Sequence, residues 1–153
     1  FVVKDQKNIK AKKSVFNKIV GDSVLELRFS QFLERVPDVI SYAKNYTQLN
    51  FKIDYIDAVG NIANYIPDFL VKISDKKTFV VETKGREDLD DPLKIKRLRQ
   101  WCSDVNATHS DVEFDFVYVD QETFDRLTGA DGRSENELAT FSDLVARFTA
   151  YKH

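Results

Sequence analysis

The sequence predicts one α/β domain in which a mixed central β-sheet is flanked by helices. Two observations lead to this fold class. Stretches with helical apolar spacing alternate with stretches in which apolar and polar residues take turns. Their order is helix, three strands, helix, strand and further helices, which is typical of a sheet covered by helices. The 153 residues and the 42% hydrophobic content suit a single domain with its own core.

The first twenty residues differ from the rest of the chain. They contain six lysines, and we expect a connecting segment over residues 1–20 before a folded domain over residues 21–153. Two interpretations of this segment stay open: a solvated linker, or a basic arm close to nucleic acid. The chain begins with Phe1 and not with methionine, so we interpret it as a fragment of a longer protein.

The first helix is predicted to start near Asp22 or Ser23. Ser23 and Glu26 have the spacing of a capping box, and Pro37 ends the helical pattern. We expect a second, short helix over residues 38–45. The apolar stripe of the first helix consists of Leu25, Phe29, Phe32, Leu33 and Val36.

Three strands are predicted next. Residues 49–55 alternate between apolar and polar, and residues 65–73 and 78–83 flank the polar turn at 74–77. A second turn is predicted at Gly60 and its neighbour Asn61. Together these signals predict an antiparallel meander of three strands.

The remainder of the chain predicts one more strand among helices. Asp91 at the cap and Pro92 at the first position are a strong helix start. Residues 114–119 predict a strand, and residues 121–127 and 136–151 predict two helices.

Composition excludes several classes of protein. The net charge of −2 argues against a simple basic coat for nucleic acid, and one cysteine with two histidines excludes cysteine-rich and histidine-based zinc sites. Carboxylates and carbonyls would therefore hold any catalytic metal, which suits Mg²⁺ or Mn²⁺. The lone Cys102 indicates a reducing compartment, so we expect a cytoplasmic protein. No secretory signal is visible, and no apolar run approaches the ~20 residues of a membrane span.

The residues that carry chemistry lie in the second and third predicted strands. If the hairpin turns about residues 75–76, position 68 falls opposite position 83, and Asp68 lies level with Glu82 and Lys84. Two carboxylates at this point can hold a divalent cation, which lowers the pKa of a bound water. The Thr83 carbonyl can also reach a metal, and Lys84 can orient the water or stabilise the developing charge.

A simpler interpretation stays open for these residues. A Glu-x-Lys sequence at a strand end is usually a solvated surface pair. The apolar run at 79–81 instead indicates a buried strand. A carboxylate such as Glu82 would lose hydration there and would need a positive charge nearby to offset that cost. Either a metal or a salt bridge with Lys84 would provide it.

Asp68 after a proline, followed by Glu82-Thr83-Lys84, resembles the PD-(D/E)xK nuclease signature. From about residue 14 to 120 the chain looks like the C-terminal nuclease region of type III restriction enzyme Res subunits. The resemblance implies a restriction-endonuclease-like core and endonuclease activity with Mg²⁺ or Mn²⁺. The similar segments are residues 16–23, 25–29, 44–45, 65–69, 82–85, 101–102 and 105–106.

The resemblance also implies roles for individual residues. Asp68 and Glu82, with the Thr83 carbonyl, would bind the metal, and Lys84 would assist catalysis. A glutamate on the first core helix often completes the site in this family. Glu26 matches it by position, and Glu34 is the rival.

The partners that the resemblance implies are double-stranded DNA, a helicase-like motor N-terminal in the parent chain, and a modification subunit with methyltransferase activity. The present chain contains no phosphate-binding Gly-x-x-x-x-Gly-Lys-Ser/Thr segment, so we do not expect it to bind ATP. Two rival hypotheses are a DNA repair nuclease on the same core, and an inactive module that binds DNA or a partner subunit.

Basic residues cluster after the motif and are candidates for contacts with DNA phosphates. The alternative is a solvated face, since acidic residues lie just upstream. The candidate DNA-binding residues are Arg86, Lys94, Lys96, Arg97 and Arg99.

Overall fold

The computed structural model describes residues 8–14, 18–20, 23–45, 51–86 and 88–149. Predictions for residues 1–7, for 49–50 at the start of the first predicted strand, and for 150–151 at the end of the last helix lie outside this part. The strands are β1 (Asn8–Lys10), β2 (Lys18–Val20), β3 (Ser41–Lys44), β4 (Ile53–Ile56), β5 (Ile62–Tyr65), β6 (Phe69–Lys72), β7 (Lys77–Lys84) and β8 (Glu113–Asp120). The helices are α1 (Val24–Arg35), α2 (Asp91–Thr108), α3 (Gln121–Thr128) and α4 (Phe141–Arg147).

A mixed four-stranded sheet lies at the centre, in the order β3-β6-β7-β8. The β3–β6 and β6–β7 pairs are antiparallel, whereas β7 and β8 are parallel and are joined through α2. The predicted fold class, a mixed sheet flanked by helices, is confirmed, and it is consistent with a restriction-endonuclease-like core.

The two faces of the sheet pack against different helices. On one face, Phe69, Val81 and Val119 belong to a core cluster with apolar residues of α1, α3 and α4. On the other face, Val80 and Phe116 pack with α2 and with the β4–β5 hairpin. Since side chains alternate along a strand, Glu82 and Lys84 project from β7 on the same face as Val80.

Helix α1 follows its sequence pattern closely. The Ser23 Oγ accepts a hydrogen bond from the Glu26 backbone N–H at 3.2 Å, so Ser23 is the cap. Every residue of the predicted apolar stripe is buried. The helix ends at Arg35, shortly before Pro37.

The short helix predicted over residues 38–45 is wrong, because this segment contains β3. Strand β3 pairs with β6, with Ser41 opposite Lys72 and Lys44 opposite Phe69. The backbone N–H of Ile40 also donates to the Lys72 carbonyl at 2.9 Å. A segment this short gains little from helix formation, so pairing with a distant strand decides its structure.

The predicted three-stranded meander is also corrected. Strand β4 pairs with β5 in a separate two-stranded sheet. The predicted strand over 65–73 is interrupted at residues 66–68 and divides into β5 and β6, where Pro67 cannot donate to a ladder. The turn predicted at Gly60 is confirmed: Gly60 has a φ of 89°, a conformation that favours glycine.

Two helix boundaries differ from the predictions. The cap of α2 is Asp90, one residue before the predicted cap Asp91. Helix α4 begins at Phe141 and not at 136, because Thr140 and Asp143 form a capping box there. Among the described residues, no helix is long and apolar enough to cross a membrane.

Candidate active site

Asp68 and Glu82 lie opposite each other at the start of β6 and near the end of β7. The ladder pairs Phe69 with Val81, and the Asp68 backbone N–H donates to the Val81 carbonyl at 3.1 Å. The predicted register, which set position 68 opposite position 83, is therefore wrong by one residue. The observed register brings the two carboxylates closer together than predicted.

The position of Asp68 is fixed by hydrogen bonds from its neighbours. Its Oδ2 accepts from the Thr83 backbone N–H at 2.9 Å and from the Thr83 hydroxyl at 2.8 Å. Its carbonyl accepts from the Asn45 backbone N–H at 2.8 Å, and the Asn45 side-chain amide donates to the Pro67 carbonyl at 2.8 Å. These contacts tie the end of β3 to the residue that carries the carboxylate.

The Glu82 side chain is partly buried, and one of its carboxylate oxygens, Oε2, is inaccessible to solvent. Burial, followed by the charge of Asp68, raises the pKa of Glu82 well above its usual range. Its Oε2 is buried and makes no hydrogen bond to any described residue, and the same holds for the Tyr65 hydroxyl that faces it. A carboxylate with one buried, unpaired oxygen beside a second carboxylate fits a divalent cation, which would compensate both charges.

Asp68 and Glu82 alone supply few ligands for a metal ion. In the described ranges there is no group of three or more His, Cys, Asp or Glu residues that could hold a metal ion. Any cation here would thus use the Asp68 and Glu82 oxygens, with backbone carbonyl or water oxygens as further ligands.

Lys84 lies two residues beyond Glu82 and contacts two other carboxylates. Its Nζ is 3.3 Å from Asp88 Oδ2 and 3.7 Å from Asp91 Oδ1. Partial burial lowers the pKa of Lys84, but the charges of Asp91, Asp88 and Glu82 outweigh it, so the pKa is raised. Lys84 is therefore a protonated ammonium at neutral pH.

Asp91 is a buried carboxylate that the sequence did not single out as a site residue. Only 2% of the residue is exposed, and its Oδ2 accepts from the Asp88 backbone N–H at 2.7 Å and from the Tyr118 hydroxyl at 3.3 Å. A signal was present in the sequence. Asp91 lies four and seven residues before Ile95 and Leu98, on the inward face of α2.

Glu26 and Glu34, the two candidates on α1, are engaged elsewhere. Glu26 Oε1 is 3.3 Å from the Nζ of Lys44, and both residues are buried. Glu34 Oε1 accepts from the Lys12 backbone N–H at 2.7 Å and from the Tyr42 hydroxyl at 3.0 Å. Over the described ranges, neither glutamate forms a three-ligand group with Asp68 and Glu82.

The candidate DNA-binding residues differ in exposure and in their contacts. Arg86 and Lys96 are exposed, and Lys94 Nζ lies 3.8 Å from Asp88 Oδ2. Arg97 donates through Nε to the Asp54 carbonyl at 3.0 Å.

Arg99 has a different environment from Arg86. Its guanidinium carbon lies 5.8 Å from the centre of the Phe116 ring, and its Nε is buried with no hydrogen bond to the described residues. The structure therefore brings Lys94 close to Lys84 and directs Arg99 toward the core.

Comparison with known proteins relates the chain to an endonuclease family. The family model described as TnsA-like endonuclease N terminal matches residues 36–117, which is more than half of the chain. The matched range includes Asp68, Glu82 and Lys84, whereas Glu26 lies outside it. No curated protein and no solved structure matches the chain.

Proposed function

The chain belongs to the family of TnsA-like endonuclease N-terminal domains, a PD-(D/E)xK-type nuclease family, and we propose that it hydrolyses DNA phosphodiester bonds with Mg²⁺ or Mn²⁺. The observation that carries this proposal is the pairing of Asp68 with Glu82, whose Oε2 is buried without a hydrogen-bond partner among the described residues and whose pKa is raised. In a Glu-x-Lys pair at the surface, water would solvate the carboxylate, and no cation would be needed to offset a cost of burial.

In this proposal Asp68 and Glu82 hold the cation, with the Thr83 carbonyl as a further oxygen ligand. A divalent cation bound there would neutralise charge on the scissile phosphate and lower the pKa of an attacking water. The two hydrogen bonds from Thr83 keep Asp68 Oδ2 in place before metal and DNA arrive, which limits the reorganisation needed for reaction.

Lys84 acts as a fixed positive charge in the proposed reaction. The charges of Asp91 and Asp88 raise its pKa, which favours the ammonium form. Its ammonium is suited to donate hydrogen bonds to phosphate oxygens and to stabilise the negative charge that develops as the P–O bond breaks.

Double-stranded DNA is the proposed substrate, and three of the basic residues support it. Arg86 and Lys96 are exposed, and Lys94 lies beside the carboxylates that contact Lys84. Such residues position phosphates without reading sequence. Arg97 and Arg99 have part of their guanidinium groups committed within the domain, so we expect weaker contributions from them.

The finer context stays a proposal. A type III Res subunit would supply a helicase-like motor N-terminal to this region and a methyltransferase partner, and a reducing cytoplasm would suit a chain whose single cysteine is the buried Cys102. The complete reading frame and co-purification with a modification subunit would test the Res context. The absence of motor motifs from the full-length protein would contradict it.

The proposed reaction is tested by nicking of supercoiled plasmid with Mg²⁺ or Mn²⁺. We expect metal-dependent nicking by the unaltered chain and none by Asp68→Asn or Lys84→Ala. Asp75→Asn, the same change in an exposed turn, is the matched control and should nick normally. Equal nicking by the site variants would overturn the assignment. DNA binding without nicking by any form would favour the non-cleaving module, and a preference for branched over linear DNA would favour the repair nuclease.

A further inference from the structure

Asp91 is not one of the two carboxylates of the proposed metal site. It is in the first turn of α2, its Oδ1 lies 3.7 Å from the Nζ of Lys84, and its other oxygen is occupied by Asp88 and Tyr118. It thus connects the helix that packs on one face of the sheet with the last residue of β7.

The two acidic partners of Lys84 differ in burial. The Asp91 side chain is 3% exposed, whereas that of Asp88 is 50% exposed. An exposed ion pair contributes little to fixing a side chain, because solvent screens it and both chains stay mobile. A buried carboxylate that is already held by two hydrogen bonds has a fixed position and acts in a less polar environment.

Two hydrogen bonds and its place in the first turn of α2 hold the Asp91 carboxylate in position. The start of a helix carries a partial positive charge that stabilises a carboxylate in the first turn. The Asp88 backbone N–H and the Tyr118 hydroxyl donate to Oδ2, so Oδ1 remains directed at the ammonium of Lys84. Lys94 Nζ, at 4.0 Å from the same oxygen, is a second and more distant cation.

We propose that Asp91 is a positioning residue that holds the Lys84 ammonium beside Glu82 and thereby couples α2 to the catalytic site. Lysine has a long side chain with many rotamers, and β7 ends at this residue. Without a fixed partner, the ammonium would occupy many positions around the site. The proposal rests on the catalytic role given to Lys84 above.

The first test compares nicking rates of Asp91→Asn and Asp88→Asn in the 153-residue chain. Both changes remove one negative charge next to Lys84, so Asp88→Asn is the matched control. We expect Asp91→Asn to lower the maximal rate about tenfold or more, with the Mg²⁺ concentration at half-maximal rate unchanged. Asp88→Asn should lower the maximal rate less than about fivefold. Equal losses in the two variants would overturn the proposal.

The second test needs no metal and no activity. The rate at which Lys84 is acetylated by an amine-reactive ester is followed by mass spectrometry in the unaltered chain and in both variants. We expect a severalfold faster reaction at Lys84 in Asp91→Asn only. Lys44, which is buried, reports unfolding, because its acetylation would rise if the variant lost its structure.

The two tests separate the possible failures. If the unaltered chain does not nick DNA, the proposed function fails, while acetylation still decides whether Asp91 holds Lys84. Unchanged acetylation of Lys84 in Asp91→Asn would overturn the positioning role even if nicking is slower. Faster acetylation of Lys84 and Lys44 together would assign Asp91 a purely structural role.

Discussion

The Asp68 carboxylate is bound to Thr83 through one oxygen, since Oδ2 accepts both the Thr83 backbone N–H and the Thr83 hydroxyl, at 2.9 and 2.8 Å. Both bonds join the residue before β6 to a residue within β7. The strand that carries Glu82 therefore sets the orientation of Asp68, the other proposed metal ligand.

Thr83→Val removes the hydroxyl and keeps the backbone donor and the side-chain shape. We expect a nicking rate about threefold to tenfold lower and a loss of about 1 kcal/mol in the free energy of unfolding, the usual effect of one hydrogen bond. Urea denaturation and plasmid nicking measure the two effects. Thr78→Val, the same change at the other end of β7, should leave the nicking rate unaltered. A normal rate in Thr83→Val would show that its hydroxyl does not orient Asp68.

The sequence predicted that a single short hairpin brings Asp68 level with Glu82, and the β6–β7 ladder places the two opposite each other. The register was missed by one residue. The Ile73 backbone N–H donates to the Lys77 carbonyl, so the turn is centred on Asp75 and not between 75 and 76. Sequence patterns locate a turn without fixing which residue lies at its centre.

Other features depended on distant contacts. Strand β3 pairs with β6 across an intervening hairpin, and nothing local in residues 41–44 indicates this partner. Asp91 was visible on the inward face of α2, but a charged residue is not counted in an apolar stripe. Only the placement of Lys84 and Tyr118 explains why a carboxylate is buried there.

Tyr65→Phe tests the hydroxyl that faces Glu82. The Tyr65 hydroxyl faces Glu82 but makes no hydrogen bond of normal geometry to a described residue, so we expect a change in unfolding free energy below about 1 kcal/mol. The nearby hydroxyl lowers the pKa of Glu82, and its removal should raise the Mg²⁺ concentration needed for half-maximal nicking. Tyr55→Phe is the control and should leave that concentration unchanged. An unaltered Mg²⁺ requirement in Tyr65→Phe would show that the Tyr65 hydroxyl has no influence on Glu82.

Glu82→Gln tests the buried charge through the pH dependence of stability in metal-free protein. Burial and Asp68 raise the pKa of Glu82 in the fold, so the unfolded state releases this proton at lower pH. The contribution of Glu82 to stability therefore falls as pH rises from its unfolded pKa through its folded pKa. At pH 8 with chelator, we expect Glu82→Gln to be more stable than the unaltered chain by about 1–3 kcal/mol.

Urea denaturation at pH 5 and pH 8 measures this difference, and added Mg²⁺ should stabilise only the unaltered chain. Glu113→Gln, an exposed change, should show no such pH dependence. Lower stability of Glu82→Gln at pH 8 would mean that the carboxylate is compensated by the protein itself and has no need of a cation.

Arg86→Ala and Arg99→Ala should separate DNA contact from core packing. Arg86 is exposed beside the motif, and its loss should weaken DNA binding and reduce the slope of log affinity against log salt by ~0.9. Arg99 lies over the Phe116 ring, so its loss should lower the free energy of unfolding with little change in that slope. Binding measured with Ca²⁺ at several salt concentrations, together with urea denaturation, distinguishes the two. A reduced slope for Arg99→Ala with unchanged stability would mean that its guanidinium turns outward to contact DNA.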